Sequence, residues 1–390
     1  MTTDHKNLIY ISAGESSGDL LGANLAQTLL NKNPQLKLVG MGGTKMKAAG
    51  VSIQFNADIF SVVGLSGILF NLPKILITLH KIKKYLKQHK PALIILIDLP
   101  DTHLRIAAMA KKLGIPVLYY VSPQIWAWRY ARIKQIKENI NQMAVLFPFE
   151  EKIYQKENIP VTFVGHPLVN LVKPTMTQEL AYKSFRLDSK NPIVSLLPGS
   201  RRGEIARHLP IILEAAKMIS QKIPNVQFVL PLADIFNEFE IREKVPSHIK
   251  VIKNNLYNLL SISDAAIAVS GTVTLEVALM QVPMCIIYKF GQISFQIAKR
   301  LIKVDHIGLC NLISQKKIVK EFIQDQATPT IIADEIISIL KNKDYSNHIR
   351  HELSLVKAQL GISDPSARVA EVALGMIGLA FQNKESQLIL

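Results

Sequence analysis

Two series of short apolar runs, each run closed by Gly, Pro, Ser or Asp and most followed by a helical pattern, constrain this chain more than any other feature. Residues 8–13, 37–40, 92–97, 117–121, 143–147 and 162–164 make the first series, and 193–197, 226–230, 250–252, 265–269 and 284–288 the second. Runs that are apolar without alternation suit parallel strands covered by helices on both faces. The pattern therefore predicts an α/β fold of two doubly wound, Rossmann-like domains, and 390 residues are enough to bury two cores. Between 169 and 191 the pattern lapses among polar residues, with Pro192 just beyond, so the boundary is placed there. The expected division is 1–170, 171–345, and C-terminal helices over 346–390 that pack back on the domains.

The charge is unevenly spread. Residues 59–137 carry thirteen Lys or Arg against two acids, Asp98 and Asp101, a net +11 of the chain's +16. Such a block marks a face that meets phosphates, whether of nucleic acid, anionic lipid or a charged metabolite. Residues 59–79 are nearly all apolar, but Asn71, Pro73 and Lys74 interrupt them before they reach a membrane-spanning length. After Pro73 the apolar residues recur at helical spacing among lysines, as suits an anionic bilayer surface. Before it, Val62, Val63, Leu65, Ile68, Leu69 and Leu72 sit among Gly64, Ser66, Gly67 and Asn71, a loop-like composition with more apolar surface than a loop should carry. These six are the candidate membrane contacts. An ordinary core-facing helix with solvated lysines is the competing reading. Only Cys285 and Cys310 are present, which excludes a disulfide framework and suits a reducing cytosol.

Chemistry-bearing residues gather where strands end. The first strand runs into Gly14-Glu15-Ser16-Ser17-Gly18-Asp19, where glycines allow close backbone approach and a helix N-terminus favours anions. The segment matches Gly-x-Ser-x-Gly, but an elbow on the first strand leaves no earlier loop for an oxyanion hole, which counts against a hydrolase. Asp98 closes an apolar strand, where α/β sheets place active groups. Its positive surroundings are expected to keep it ionised and able to accept a proton from a substrate hydroxyl, while Asp101 is read as a helix cap. In the second half, Gly199-Ser200-Arg201-Arg202 follows a strand and opens a helix, as a diphosphate clamp would. Gly271-Thr272 opens another, with Glu276 placed to hold ribose hydroxyls. No metal-ligand spacing is present, and no metal or cofactor is expected.

Ala13 to Asp19, Tyr120-Val121-Ser122-Pro123 with Trp126-Ala127-Trp128-Arg129, Leu197 to Arg201, and Ser270-Gly271-Thr272 with Leu275-Glu276 closely resemble the lipid-A-disaccharide synthase family. Phe147-Pro148-Phe149-Glu150, Val164-Gly165-His166-Pro167 and Asn311-Leu312 extend the resemblance over nearly the whole chain. It implies a metal-independent, inverting glycosyltransferase of GT-B type joining UDP-2,3-diacylglucosamine to 2,3-diacylglucosamine 1-phosphate (lipid X), with UDP released. The first domain would then take the acceptor and the second the UDP-sugar. By the resemblance Asp98 is the base, Glu15 and Gly18 lie at the substrate cleft, Gly199, Ser200, Arg201, Gly271 and Thr272 meet the nucleotide, and Glu276 and Asn311 hold it. The protein would work peripherally on the cytoplasmic face of a Gram-negative inner membrane, with a homodimer left open. Alternatives are a UDP-N-acetylglucosamine epimerase or another UDP-sugar transferase. A nucleic-acid binder using Trp126, Trp128 and Tyr130 is disfavoured, because most of the basic block is interleaved with aliphatic rather than aromatic residues.

Overall fold

The computed structural model describes residues 7–57, 65–232, 241–291, 305–361 and 364–378. The chain divides into two compact units: Met1–Pro167 with Ser363–Leu390, and Leu168–Ile362. The C-terminal segment is thus shared between the units and forms no unit of its own.

The first unit holds a parallel sheet whose strands are β1 (Leu8–Ala13), β2 (Lys37–Gly42), β3 (Ser52–Asn56), β4 (Leu93–Ile97), β5 (Val117–Tyr120), β6 (Gln142–Val145) and β7 (Val161–Phe163), in spatial order 3-2-1-4-5-6-7. Its helices are α1 (Ser16–Lys32), α2 (Thr44–Ala48), α3 (Leu65–His89), α4 (Pro100–Lys112), α5 (Arg132–Asn139) and α6 (Pro148–Lys156). The reversal of winding direction falls between β1 and β4, paired in register from Ile9↔Leu93 to Ala13↔Ile97. Every residue of β4 is buried, so both its faces are covered.

The second unit contains the short helices α7 (Leu168–Leu171) and α8 (Gln178–Phe185), followed by β8 (Ile193–Leu197) and α9 (Arg202–Lys222). Next come β9 (Gln227–Leu232), β10 (Lys250–Lys253), α10 (Leu256–Leu260), β11 (Ala265–Val269), α11 (Thr272–Leu279) and β12 (Met284–Tyr288). It ends with α12 (Leu309–Ser314), β13 (Glu321–Ile323), α13 (Pro329–Lys341) and α14 (Lys343–Gln359). Its parallel sheet runs 10-9-8-11-12-13, with the reversal between β8 and β11. The last helix, α15 (Pro365–Met376), returns to the first unit and packs on α1.

Two edge strands, β3 and β13, escape the sequence pattern. In β3 exposed and half-buried residues alternate, as an edge strand permits, and β13 has only three residues. A second departure is at Pro73. The segment read as a loop is helical from Leu65, and Pro73 lies inside α3. Proline removes one backbone donor and bends a helix, at a cost a long amphipathic helix can bear. Beyond it Leu79, Ile82 and Leu86 are buried, while Lys74, Lys81, Lys84 and Lys87 face solvent. Val62 and Val63 lie outside the described residues. Leu65, Ile68 and Leu69 fall in the first turns of α3, and Leu72 is exposed together with Leu76 and Ile77. Among the described residues no helix is long and apolar enough to cross a membrane.

Candidate active site

In the first unit the loops after β1 and β4 meet at the winding reversal, the usual ligand position of such sheets. A Cβ on Gly14 would lie 2.4 Å from the Leu99 side chain, so only glycine lets the loops approach. Asp98 and Leu99 both take left-handed backbone conformations, with φ of 55° and 48°. Buried donors hold that strained turn. The Asp98 carbonyl accepts from the Tyr119 hydroxyl at 2.6 Å and from His103 Nδ1 at 2.7 Å. Burial holds His103 down to about 4, so its ring is neutral at pH 7. Because Nδ1 must donate to a carbonyl, Nε2 is the acceptor, and the Ser12 hydroxyl 2.8 Å away donates to it. Neither Ser12, His103 nor Tyr119 was singled out from the sequence; a histidine five residues after the strand-end acid was the available signal.

Burial raises the Asp98 carboxyl above its ordinary range, the Leu99 N–H opposes this, and the charge of Glu15 adds to it. The positive field expected from the sequence is therefore not what sets its proton affinity. A raised carboxylate is a stronger base, and its half-buried position leaves it reachable. Glu15 is exposed at the N-cap of α1. Gly18 is buried, and a Cβ there would touch Ala13 at 3.4 Å, so it seats helix on strand. Asp101 is not the cap of α4. That position is Leu99, and the Asp101 carboxylate instead receives Arg129 and Arg132.

The loop after β5 is anchored by a buried carboxyl. Glu150 accepts the Trp126 indole N–H at 3.1 Å and the Phe147 amide at 3.2 Å. Burial pushes Glu150 up to about 7 against those bonds. Ser122 joins the Tyr154 hydroxyl at 2.7 Å. The two aromatic motifs noted in the sequence thus form one packed assembly.

The corresponding reversal in the second unit places the loops after β8 and β11 side by side. Gly199 has φ of 111°, and a Cβ there would press on Glu204 at 2.8 Å. Glu204 accepts the Ser200 and Arg201 amides at 3.1 and 3.3 Å and pairs with the Arg201 guanidinium at 3.5 Å. The Arg201 side chain is 80% exposed, so a ligand can reach it in its place beside Glu204. Open space surrounds Gly271, and Thr272 is exposed beside it. Glu276 lies one turn inside α11 and accepts the Tyr257 hydroxyl at 2.7 Å; burial raises its carboxyl and that bond opposes the shift.

Asn311 differs from its expected role. It is fully buried; Nδ2 donates to Val319 and Glu321, and Oδ1 accepts the Ile318 and Val319 amides. Both donors and both lone pairs are taken, so in this arrangement the side chain shapes the loop and has no capacity left for a nucleotide. Glu321 completes that frame by accepting the Ile307 and Gly308 amides.

Two doubly wound units on parallel sheets, each with an anion-suited or acid-bearing loop pair at its reversal, define a GT-B-type enzyme. The family model described as lipid-A-disaccharide synthetase matches residues 9–372, and the chain belongs to that family. A lipid-A-disaccharide synthase of Coxiella burnetii is 49% identical over 369 residues, covering 95% of this chain and 98% of the relative. One of Geobacter sulfurreducens is 43% identical over 381 residues, covering 97% and 99%. A UDP-GlcNAc 2-epimerase structure from Neisseria meningitidis, bound to UDP-GlcNAc, aligns with TM-score 0.61 at 14% identity, covering 94% of this chain and all of that one. The calicheamicin glycosyltransferase aligns with TM-score 0.62 at 11%, covering 95% and 98%. At such identities the likeness is one of fold.

Proposed function

We infer that the chain is a lipid-A-disaccharide synthase: it condenses UDP-2,3-diacylglucosamine with 2,3-diacylglucosamine 1-phosphate to a β-1,6-linked disaccharide 1-phosphate and UDP. Full-length identity to such enzymes carries the reading over the epimerase alternative, which rests on fold likeness alone. Asp98 is the proposed base, taking the proton of the acceptor 6-hydroxyl as that oxygen attacks the anomeric carbon and the bond to UDP breaks. Its support is the strand-end position, the raised proton affinity and the pinned backbone. Arg201, with the loops at Gly199, Ser200, Gly271 and Thr272, would stabilise the departing diphosphate, and Glu276 would accept ribose hydroxyls. The purified protein with both lipids should release UDP and yield the disaccharide by mass spectrometry. Absence of product refutes the reading.

Arg201→Ala and Glu276→Ala should each weaken UDP binding about tenfold, measured by calorimetry. Unchanged affinity in both would mean that the nucleotide is held elsewhere.

We further propose that the protein sits peripherally on an anionic membrane, at the cytoplasmic face of the inner membrane, through α3. Leu72, Leu76 and Ile77 are 41%, 51% and 55% exposed, with lysines along the same helix. Each basic group near such a surface contributes about 1 kcal/mol and each buried aliphatic side chain about 1.5–3. Neither set suffices alone, and attachment should be salt-sensitive. Replacing all three residues by Ser should abolish sedimentation with anionic liposomes while leaving the melting curve and UDP affinity unchanged, since none belongs to the core. Wild-type protein that never pellets with such vesicles rules this out.

A further inference from the structure

The Trp126-Ala127-Trp128-Arg129 segment takes no part in the chemistry above, yet it lies beside the base. It follows β5, the neighbour of β4, so the loop and Asp98 share one end of the sheet. Its lower part is fixed by the Trp126–Glu150 bond, and Tyr130 donates to Glu157 at 2.6 Å. From this anchored loop and the first residue of α5, two guanidinium groups converge on one oxygen of Asp101, the second residue of α4 and three residues past Asp98. Arg129 Nη1 lies 3.2 Å from Asp101 Oδ1, and Arg132 Nη2 pairs with the same atom. The Arg129 guanidinium also rests 4.1 Å from the centre of the Trp128 ring. The Arg132 side chain is only 14% exposed, whereas Arg129 and Asp101 are 45% and 76% exposed. Both Asp98 and Arg132 act electrostatically on the Tyr119 hydroxyl, which itself touches the Asp98 carbonyl.

We propose that Arg129 and Arg132 form the subsite for the acceptor's anomeric phosphate, an inference that rests on the glycosyl-transfer reading above. Two guanidinium groups on one carboxylate leave a net positive charge in a fork geometry that matches a phosphate monoester, which is close to dianionic at pH 7. Trp128 and Asp101 keep both forks in place before the ligand arrives, which lowers the ordering cost of binding. In the acceptor, C1 with its phosphate and C5 with the 6-hydroxymethyl group flank the same ring oxygen, so the phosphate lies within one sugar's span of the attacking hydroxyl. A cationic pair adjoining the base can therefore hold that phosphate while the 6-hydroxyl of the same sugar is presented to Asp98.

The test compares kcat/KM for 2,3-diacylglucosamine 1-phosphate with that for the same acceptor lacking phosphate, in neutral detergent micelles. Wild-type protein should prefer the phosphorylated acceptor. Arg129→Gln, at an exposed position, and Arg129→Gln/Arg132→Gln should each cut that preference about tenfold or more by losing the phosphorylated substrate alone, with UDP affinity unchanged. A preference ratio unchanged in both variants overturns the proposal. So does an unchanged ratio in micelles combined with lost sedimentation on anionic vesicles, which would assign the arginines to lipid headgroups. Wild-type protein that forms no disaccharide from either acceptor refutes the underlying reaction instead.

Discussion

Asp98→Asn is expected to lower turnover by about 10²-fold or more while melting temperature and UDP affinity stay near wild type. The substitution is mild because the fold leans on the Asp98 backbone: the carbonyl takes the Tyr119 and His103 bonds, the residue has φ of 55°, and the Leu99 N–H that its carboxylate accepts can be accepted by the asparagine amide oxygen instead. Asparagine enters that left-handed region as readily as aspartate, so the turn survives while the proton acceptor is lost. Asp98→Ala would add backbone strain of about 1–3 kcal/mol, visible as a lower melting temperature. The base must be ionised to act, so kcat/KM should fall as pH drops through its pKa. Burial and Glu15 raise that pKa, which sets the acid limb above the ordinary carboxylate value of about 4. Glu15→Gln removes one of those influences and should move the limb to lower pH. Near-normal turnover in Asp98→Asn would transfer the role of base to another group.

The central strands were legible because a strand buried on both faces has nothing but apolar residues to show, as Ile94 to Ile97 and Ala265 to Val269 do. The edge strand Ser52–Asn56 has no such obligation, and its alternating pattern is lost among loops. The same logic governs the site. Asp98, Gly199 and Gly271 stand out because they end apolar runs. The groups that brace the site do not: His103, which bonds the Asp98 carbonyl, lies on a buried helix face, Tyr257, which bonds Glu276, lies on a five-residue helix, and each finds its partner only after folding. Asn311 shows the opposite failing. The motif was visible, but only the packed loop reveals that its amide serves Val319, Ile318 and Glu321.

Asp19 carries the other large expected effect, on stability. It ends the motif after β1 that the sequence reads as suited to anions, yet it lies in the first turn of α1, is only 8% exposed and turns away to α2. Oδ1 accepts the Gly43 amide at 2.7 Å and the Met46 amide at 3.2 Å, and Oδ2 accepts the Lys45 amide at 3.0 Å. These are donors that the N-terminus of α2 leaves without intrahelical partners, and no side chain of α2's own N-cap, Gly43, can serve them. A Cβ on Gly43 would lie 2.7 Å from Asp19 Oδ2, so the glycine is what admits the carboxylate. Hydrogen bonds to a charged group contribute about 1.5–3 kcal/mol each, and partial rehydration of the freed amides offsets some of the loss. Asp19→Ala should therefore cost about 3–5 kcal/mol, or roughly 10 °C in Tm. Asp19→Asn should fall between, because its single carbonyl oxygen can keep the Gly43 and Met46 bonds while its amide group meets the Lys45 N–H donor to donor. Thermal melting of both variants checks the order. A ligand-binding role for Asp19 requires the reverse, lost activity at an unchanged Tm, and that result would return the whole turn from Gly14 to Asp19 to the substrate.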